Sequence, residues 1–168
     1  LIALLLLGGI LLKALGVLTH LALTCLIWLA MPSASPGTRA GRTLLWAWNP
    51  ALLLNFVVNA HNDLLMLLWL VLGLVFIRRG RPTAGLIVML LAPLTKPSGL
   101  LPIPFFLIAC LRDAASTSAR LKLTLTVAAA GLALTWLAFL PFGSPLELMP
   151  EVARAANAGG GYSLPVML

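Results

Sequence analysis

The stretch Asn59-Ala60-His61-Asn62-Asp63 decides how this chain is read, because apolar sequence encloses it on both sides. Residues Ala51 to Leu54 precede it and Leu64 to Phe76 follow it, so two carboxamides, an imidazole and a carboxylate sit together at the tip of a hydrophobic hairpin. Charged residues make up only 9% of the sequence. An Asp at the centre of a bilayer costs about 3 kcal/mol on insertion scales, so polar groups there pair, line a watery cavity or do chemistry.

Composition points the same way. The chain is 61% hydrophobic, has only four acids and has a mean hydropathy of +1.08. Soluble domains carry about 25% charged residues, and this sequence cannot cover a globule with polar surface. It reads as an integral membrane protein. The net charge of +7 comes from short basic clusters between apolar runs. That is the positive-inside pattern and not a basic face for nucleic acid, so no nucleic-acid partner is expected. Cys25 and Cys110 lie inside apolar stretches without metal-ligand spacing, and both are expected to be buried, inert thiols. No metal site is expected.

A bilayer core needs about 20 apolar residues per helix. Leu1 to Gly9 is too short and reads as the tail of a truncated helix broken by Gly8 and Gly9, whereas Ile10 to Met31 is long enough to span. Pro32 to Arg42, rich in Ser, Pro and Gly, reads as a loop carrying Arg39 and Arg42. The 35 residues from Thr43 to Ile77 are too many for one helix and suit two short ones meeting near His61. The basic turn Arg78-Arg79-Gly80-Arg81-Pro82 closes that hairpin.

Thr83 to Leu111 holds Lys96-Pro97 near its middle, with Pro102 and Pro104 beyond. Proline removes a backbone donor and drives the preceding residue out of helical geometry. A second short hairpin is therefore expected, because it returns Arg112, Arg120 and Lys122 to the side of the other basic turns; one tilted helix is the alternative. Leu123 to Leu140 reads as a plain helix stopped by Pro141 and Gly143, and Ser144 to Tyr162 as an exposed loop with a short helix at Leu146 to Ala156. The expected architecture is all-α: one polytopic transmembrane bundle over residues 1–168, with about six membrane segments, some short or broken. The sequence starts and ends inside apolar runs, which suggests an internal piece of a larger protein.

With the basic turns cytoplasmic, His61, Asp63 and Lys96 reach toward the opposite face. A lysine offers a point charge to phosphate, Asn and His bond sugar hydroxyls, and a carboxylate takes a proton from an attacking hydroxyl. Plainer roles compete with these. Asn62 or Asp63 suits the cap of the helix starting near Leu64, His61 suits an interfacial histidine, and Lys96 suits a snorkelling side chain. His20 reads as a packing group within the bundle, Trp46, Trp48 and Trp69 as membrane anchors, and Asn49-Pro50 as a helix break.

The order Trp48-Asn49-Pro50, Asn59-Ala60-His61-Asn62-Asp63, a helix, Arg78-Arg79-Gly80-Arg81, then Leu94-Thr95-Lys96-Pro97 and later Leu140-Pro141-Phe142 resembles the multi-spanning GT-C glycosyltransferases. Within these it is most similar to the bacterial polyprenol-phosphate-mannose-dependent mannosyltransferases. The resemblance covers Ile10 to Gly143. It implies inverting transfer of a sugar, mannose by family, from a polyprenyl-phosphate donor to a glycan or lipid acceptor hydroxyl. Transfer would occur on the non-cytoplasmic side of a bacterial plasma membrane, with neither a nucleotide sugar nor a cofactor. In that family the base is an acidic residue of the first external loop, which no residue here matches. The resemblance therefore does not make Asp63 the base; Asp63 and His61 stand as catalytic candidates on their own chemistry, with Asn59, Asn62 and Lys96 as substrate-binding candidates. His20 stands where relatives often have an acid. A transporter or channel subunit with a polar intramembrane path is the competing class, and a scaffold subunit without chemistry the third.

Overall fold

The computed structural model describes residues 2–31, 35–58, 63–143, 150 and 154, with the backbone alone at 2–6 and 56–58. Among the described residues every regular element is helical, as the sequence predicts. Two compact units are distinguished, Leu1–Ala128 and Ala129–Leu168, and the division falls within the last long helix.

The first helix, α1, runs unbroken over Ile2–Leu29. The break expected at Gly8-Gly9 is absent. A helical Gly costs about 1 kcal/mol relative to Ala, which is less than leaving a backbone donor unpaired among leucines, where no water can replace the lost bond. The C-terminal carbonyls of α1 are held by two arginines from later in the chain. Arg39 Nε donates to Trp28 O at 2.7 Å, with its guanidinium 4.3 Å from the Trp28 ring centroid, and Arg78 Nη1 donates to Ala30 O. Cations at a helix C-terminus also meet the negative end of its dipole.

The loop expected over Pro32–Arg42 is largely helix: α2 spans Pro36–Ala47. Ser35 is its N-cap, accepting from Thr38 N at 3.3 Å, and Pro36 occupies the first turn, where its missing N–H costs nothing. Ser-Pro thus starts a helix here, although the same dipeptide reads equally well as a turn. The Asn49-Pro50 break is present. Asn49 Oδ1 accepts from Ala51 N at 3.0 Å and Leu52 N at 3.3 Å, opening the single turn α3 at Pro50–Leu52, and a wider π-helical turn follows at Leu53–Val58.

Helix α4, Asp63–Arg78, packs along α5, Pro82–Met89, after a turn in which Gly80 takes φ 74°. Two glycines let the backbones meet: a Cβ on Gly73 would lie 2.5 Å from Gly85 O. Helix α6, Leu91–Thr95, continues the direction until Lys96, which is extended at φ −153°, ψ 128° as a residue before proline must be. A 3-10 turn at Pro97–Leu100 follows and α7, Ile103–Asp113, returns against α5. The chain therefore takes the short-hairpin course and not the single tilted helix. Gly99 permits the reversal, since a Cβ there would sit 2.7 Å from the Ala92 carbonyl carbon. The buried cluster of the first unit, Leu86, Met89, Ile103, Cys110, Leu123 and Val127, fills the space around this hairpin.

Helix α8 spans Thr117–Phe139 and starts earlier than the expected Leu123, because Ser116 Oγ accepts from Ala119 N at 3.2 Å and so supplies a cap ahead of Arg120 and Lys122. In the second unit it runs on from Ala129 and ends in a 3-10 turn, Leu140–Phe142, before Gly143 at φ 117°, as the Pro141 and Gly143 pair predicts. The expected helix Leu146–Ala156 falls, apart from Pro150 and Arg154, outside the described residues.

Among the described residues two stretches are long and apolar enough to cross a membrane, Leu7–Leu29 and Thr117–Phe142. Both leave large apolar side chains uncovered, with Ile10 and Leu18 at 64% exposure and Leu132 at 74%. Each such side chain forfeits about 1.5–3 kcal/mol in water compared with burial, so these surfaces suit hydrocarbon. At 1.5 Å per residue α4 is about 24 Å long, Pro82–Thr95 about 21 Å and α7 about 16 Å, each shorter than a hydrocarbon core of about 30 Å. Of the six or so segments expected, two reach spanning length among the described residues. One cysteine departs from expectation: Cys110 is buried but Cys25 is exposed on α1. Apolar sequence does not distinguish a face packed on protein from one turned outward to lipid.

Candidate functional site

Asp63 opens α4, and Lys96 closes α6 at the point where proline breaks the helix. Each charge sits at the helix end whose dipole favours it, an acid in a first turn and a base after a last one. The fold brings them together: Lys96 Nζ donates to Asp63 Oδ1 in an ion pair that joins residues 33 apart in sequence. The side chains keep 44% and 27% of their surface, so the pair lies open to a ligand. A pair this accessible contributes about 0.2–1 kcal/mol in water. That is too little for it to be explained as a mainstay of the fold.

The backbone around Lys96 is firmly set. Its N–H donates to Ala92 O at 3.0 Å, and its carbonyl accepts from Gly99 N at 2.9 Å. Beside the pair, Ser98 Oγ stands 3.5 Å from Met66 Sδ, tying the 3-10 turn to the first turns of α4. The sequence reading did not single out Ser98. Its signal was present in Lys96-Pro97-Ser98-Gly99, where proline fixes the course of the chain past the lysine and a hydroxyl follows directly.

Three of the residues proposed from sequence, Asn59, His61 and Asn62, lie outside the described residues. Asp63 and Lys96 are the two that the structure unites. Asp63 is therefore more than a helix-start residue, because its carboxylate reaches across the chain. Among the described residues no three His, Cys, Asp or Glu side chains converge as a metal site would require.

His20 behaves as the packing group expected of it. It is 5% exposed, its Nε2 lies 3.1 Å from Ala47 O, and its ring stacks on Trp46 with centroids 6.1 Å apart. The carbonyl is an acceptor, so Nε2 carries the proton. An apolar cavity of about 320 Å³ beside it is lined by Val17, Leu21 and Trp48 among others. A second cavity, of about 400 Å³, lies at the basic end of α4 between Gly80, Pro82, Cys110 and Asp113. That end is separated from Asp63 by the length of α4, about 24 Å.

The family model described as alpha-(1->6)-mannopyranosyltransferase, N-terminal domain, matches residues 4–112, well over half of the chain. The chain belongs to the alpha-(1->6)-mannopyranosyltransferase family. The match runs from α1 to the end of α7, so this mannosyltransferase domain includes the Asn49 break, Asp63, the Arg78 turn and Lys96. The resemblance read from the short motifs agrees with it at the level of mannose-transferring glycosyltransferases. No curated protein matches the chain, and no solved structure does.

Proposed function

We propose that this chain is the membrane-embedded part of a GT-C mannosyltransferase that moves mannose from a polyprenyl-phosphate donor to an acceptor hydroxyl on the non-cytoplasmic side. The acceptor is a glycan or lipid, and the linkage is the α-(1→6) bond of the family's description. The Asp63–Lys96 ion pair carries the reading. It lies inside the family-matched stretch and at the opposite end of α4 from Arg78. Arginine-rich turns held in the cytosol put the pair toward the other face.

The chemistry follows from the charges. The Lys96 ammonium holds the donor's phosphodiester monoanion through N–H donors, while Asn59 and Asn62 bond sugar hydroxyls. Asp63, with His61 as the second candidate, accepts the proton of the acceptor hydroxyl as its oxygen attacks the anomeric carbon. The bond from that carbon to the phosphate oxygen breaks with its electron pair. The polyprenyl phosphate leaves as a dianion, the anomeric centre inverts, and the proton rests on the base. The developing second negative charge on phosphate is what Lys96 stabilises in the transition state. No cofactor takes part.

The test is transfer from radiolabelled polyprenyl-phosphate mannose by the full-length protein in proteoliposomes. Asp63→Asn and His61→Ala are expected to lower transfer at least several-fold at unchanged expression. Wild-type rates in both would remove the site assignment, and solute flux without sugar transfer would favour a transporter.

A further inference from the structure

We propose that the basic end of the fold is a second binding site, one that takes the headgroup of an anionic phospholipid of the phosphatidylglycerol class. The site is separate from the mannosyl-transfer chemistry, because it lies at the other end of α4 from Asp63, and it requires only that the chain sits in a bilayer.

Two turns far apart in sequence meet around the cavity of about 400 Å³ at this end. Gly80 and Pro82 come from the turn between α4 and α5, Asp113 and Ala119 from the end of α7 and the start of α8. Each of these four lining residues has an arginine as its chain neighbour: Arg79 and Arg81 flank Gly80, Arg81 precedes Pro82, Arg112 precedes Asp113 and Arg120 follows Ala119. All four arginines are exposed, and among the described residues none of their guanidinium groups has an ion pair or hydrogen bond. Arg78 differs, since its guanidinium is engaged at Ala30 O. Nothing stands within 4 Å of where a Cβ on Gly80 would be, so the cavity is open on that side.

Charge and polarity choose the ligand. Four guanidinium groups against the one carboxylate of Asp113 leave an excess of positive charge, so the ligand is an anion. Ile77, Cys110 and Leu123 make the floor apolar, which suits the glycerol and first methylenes of a lipid and offers nothing to a free phosphate. Guanidinium forks match phosphate oxygens, and basic pockets between membrane helices hold anionic headgroups. Asp113 repels a bare phosphomonoester but accepts hydrogen bonds from hydroxyls, which a phosphoglycerol headgroup carries. The positive-inside rule asks only that basic residues stay on one side of the membrane, and not that two turns share one cavity. A bound phosphate relieves the repulsion among the arginines and ties the α4–α5 turn to the α7–α8 turn.

The test is native mass spectrometry of the full-length protein in detergent, following the first lipid bound from phosphatidylglycerol, phosphatidylcholine or phosphatidylethanolamine of matched chains. Phosphatidylglycerol is expected to bind about tenfold or more tightly than phosphatidylcholine. Arg79→Gln and Arg112→Gln should each weaken it about fivefold, the change that one basic residue near anionic lipid supplies. Arg42→Gln removes the same charge from α2 and should leave binding unchanged. Equal losses in all three variants mean diffuse attraction and overturn the site. Tighter binding of phosphatidylethanolamine, lost in Asp113→Asn, overturns the anionic class. Competition by the deacylated headgroup, glycerophosphoglycerol, as strong as that by the intact lipid overturns the lipid as its source.

A measurement on the unmodified chain guards against a misfolded variant. A phosphatidylglycerol with a diazirine on an acyl chain close to the glycerol loses nitrogen on illumination, and the carbene inserts into a nearby C–H bond. Peptide mapping should place the adduct within residues 77–83 and 110–123, reduced several-fold by excess phosphatidylglycerol and not by phosphatidylcholine. Adducts spread evenly over the helices, or indifferent to the competitor, contradict the proposal.

Discussion

Gly73 and Gly85 touch backbone to backbone: a Cβ on the first would stand 2.5 Å from the carbonyl oxygen of the second, and a Cβ on the second 2.6 Å from that of the first. This contact sets how closely α4 and α5 run together and hence how the Asp63 end of α4 meets the Lys96 break. Small residues at crossings of this kind let membrane helices approach closely. Gly73→Ala would also drive into Met89 Cγ at 2.4 Å. We expect Gly73→Ala and Gly85→Ala each to cost about 1–3 kcal/mol, the usual penalty for overpacking. Thermal unfolding in detergent checks this. Gly8→Ala meets nothing within 4 Å and should stabilise the protein slightly.

Arg39 and Arg78 are expected to act as caps of α1 as well as topological charges. Arg39→Lys retains the charge but loses the planar Nε–H bond to Trp28 O and the stacked geometry over the Trp28 ring. It should lower stability by about 1 kcal/mol. Arg42→Lys, with no such bond among those described, serves as the control and should match wild type in the same unfolding measurement.

The Asn49 cap offers a third check. Asn49→Ala removes the acceptor for Ala51 N and Leu52 N and should cost about 0.5–2 kcal/mol, whereas Asn49→Asp, which keeps an acceptor, should stay near wild type. Equal losses in the two variants would mean that the side chain is needed for something other than the cap.

These cases also separate what was legible in the chain from what was not. Asn49-Pro50, Arg78 to Pro82 and Lys96-Pro97 were readable because each break is enforced by residues within a few positions of it. Ser35-Pro36 was misread because proline in the first turn of a helix and proline in a loop have the same local sequence. Gly8-Gly9 was misread because the cost of two glycines is outweighed by the helix around them. The ion pair was foreseeable only as an opposition of two charges, since its partners lie 33 residues apart and their meeting depends on the turn at Gly80 and the Gly73–Gly85 crossing. The outward turn of Cys25 was not readable, because apolar residues facing lipid and facing protein share one composition.

Orientation has its own test. In a background lacking Cys25 and Cys110, His61→Cys should label with an impermeant thiol reagent from the non-cytoplasmic side only, and Arg79→Cys from the cytoplasmic side only. Labelling of both positions from one compartment would place the tip and the basic turn on the same face, and the proposed site would lose its access to lipid-linked donor.

The pairing of Asp63 with Lys96 as one catalytic unit is tested by a double-mutant cycle on mannosyl transfer in proteoliposomes, using Asp63→Asn, Lys96→Met and the two combined. Residues that act as a unit are strongly non-additive. Each single variant should lose about tenfold or more in rate, within reach of what a positioned base or phosphate clamp supplies, and the double variant should be no slower than the worse single one. Single variants within about twofold of wild type, or losses that simply multiply in the double variant, would contradict the shared role of the two residues.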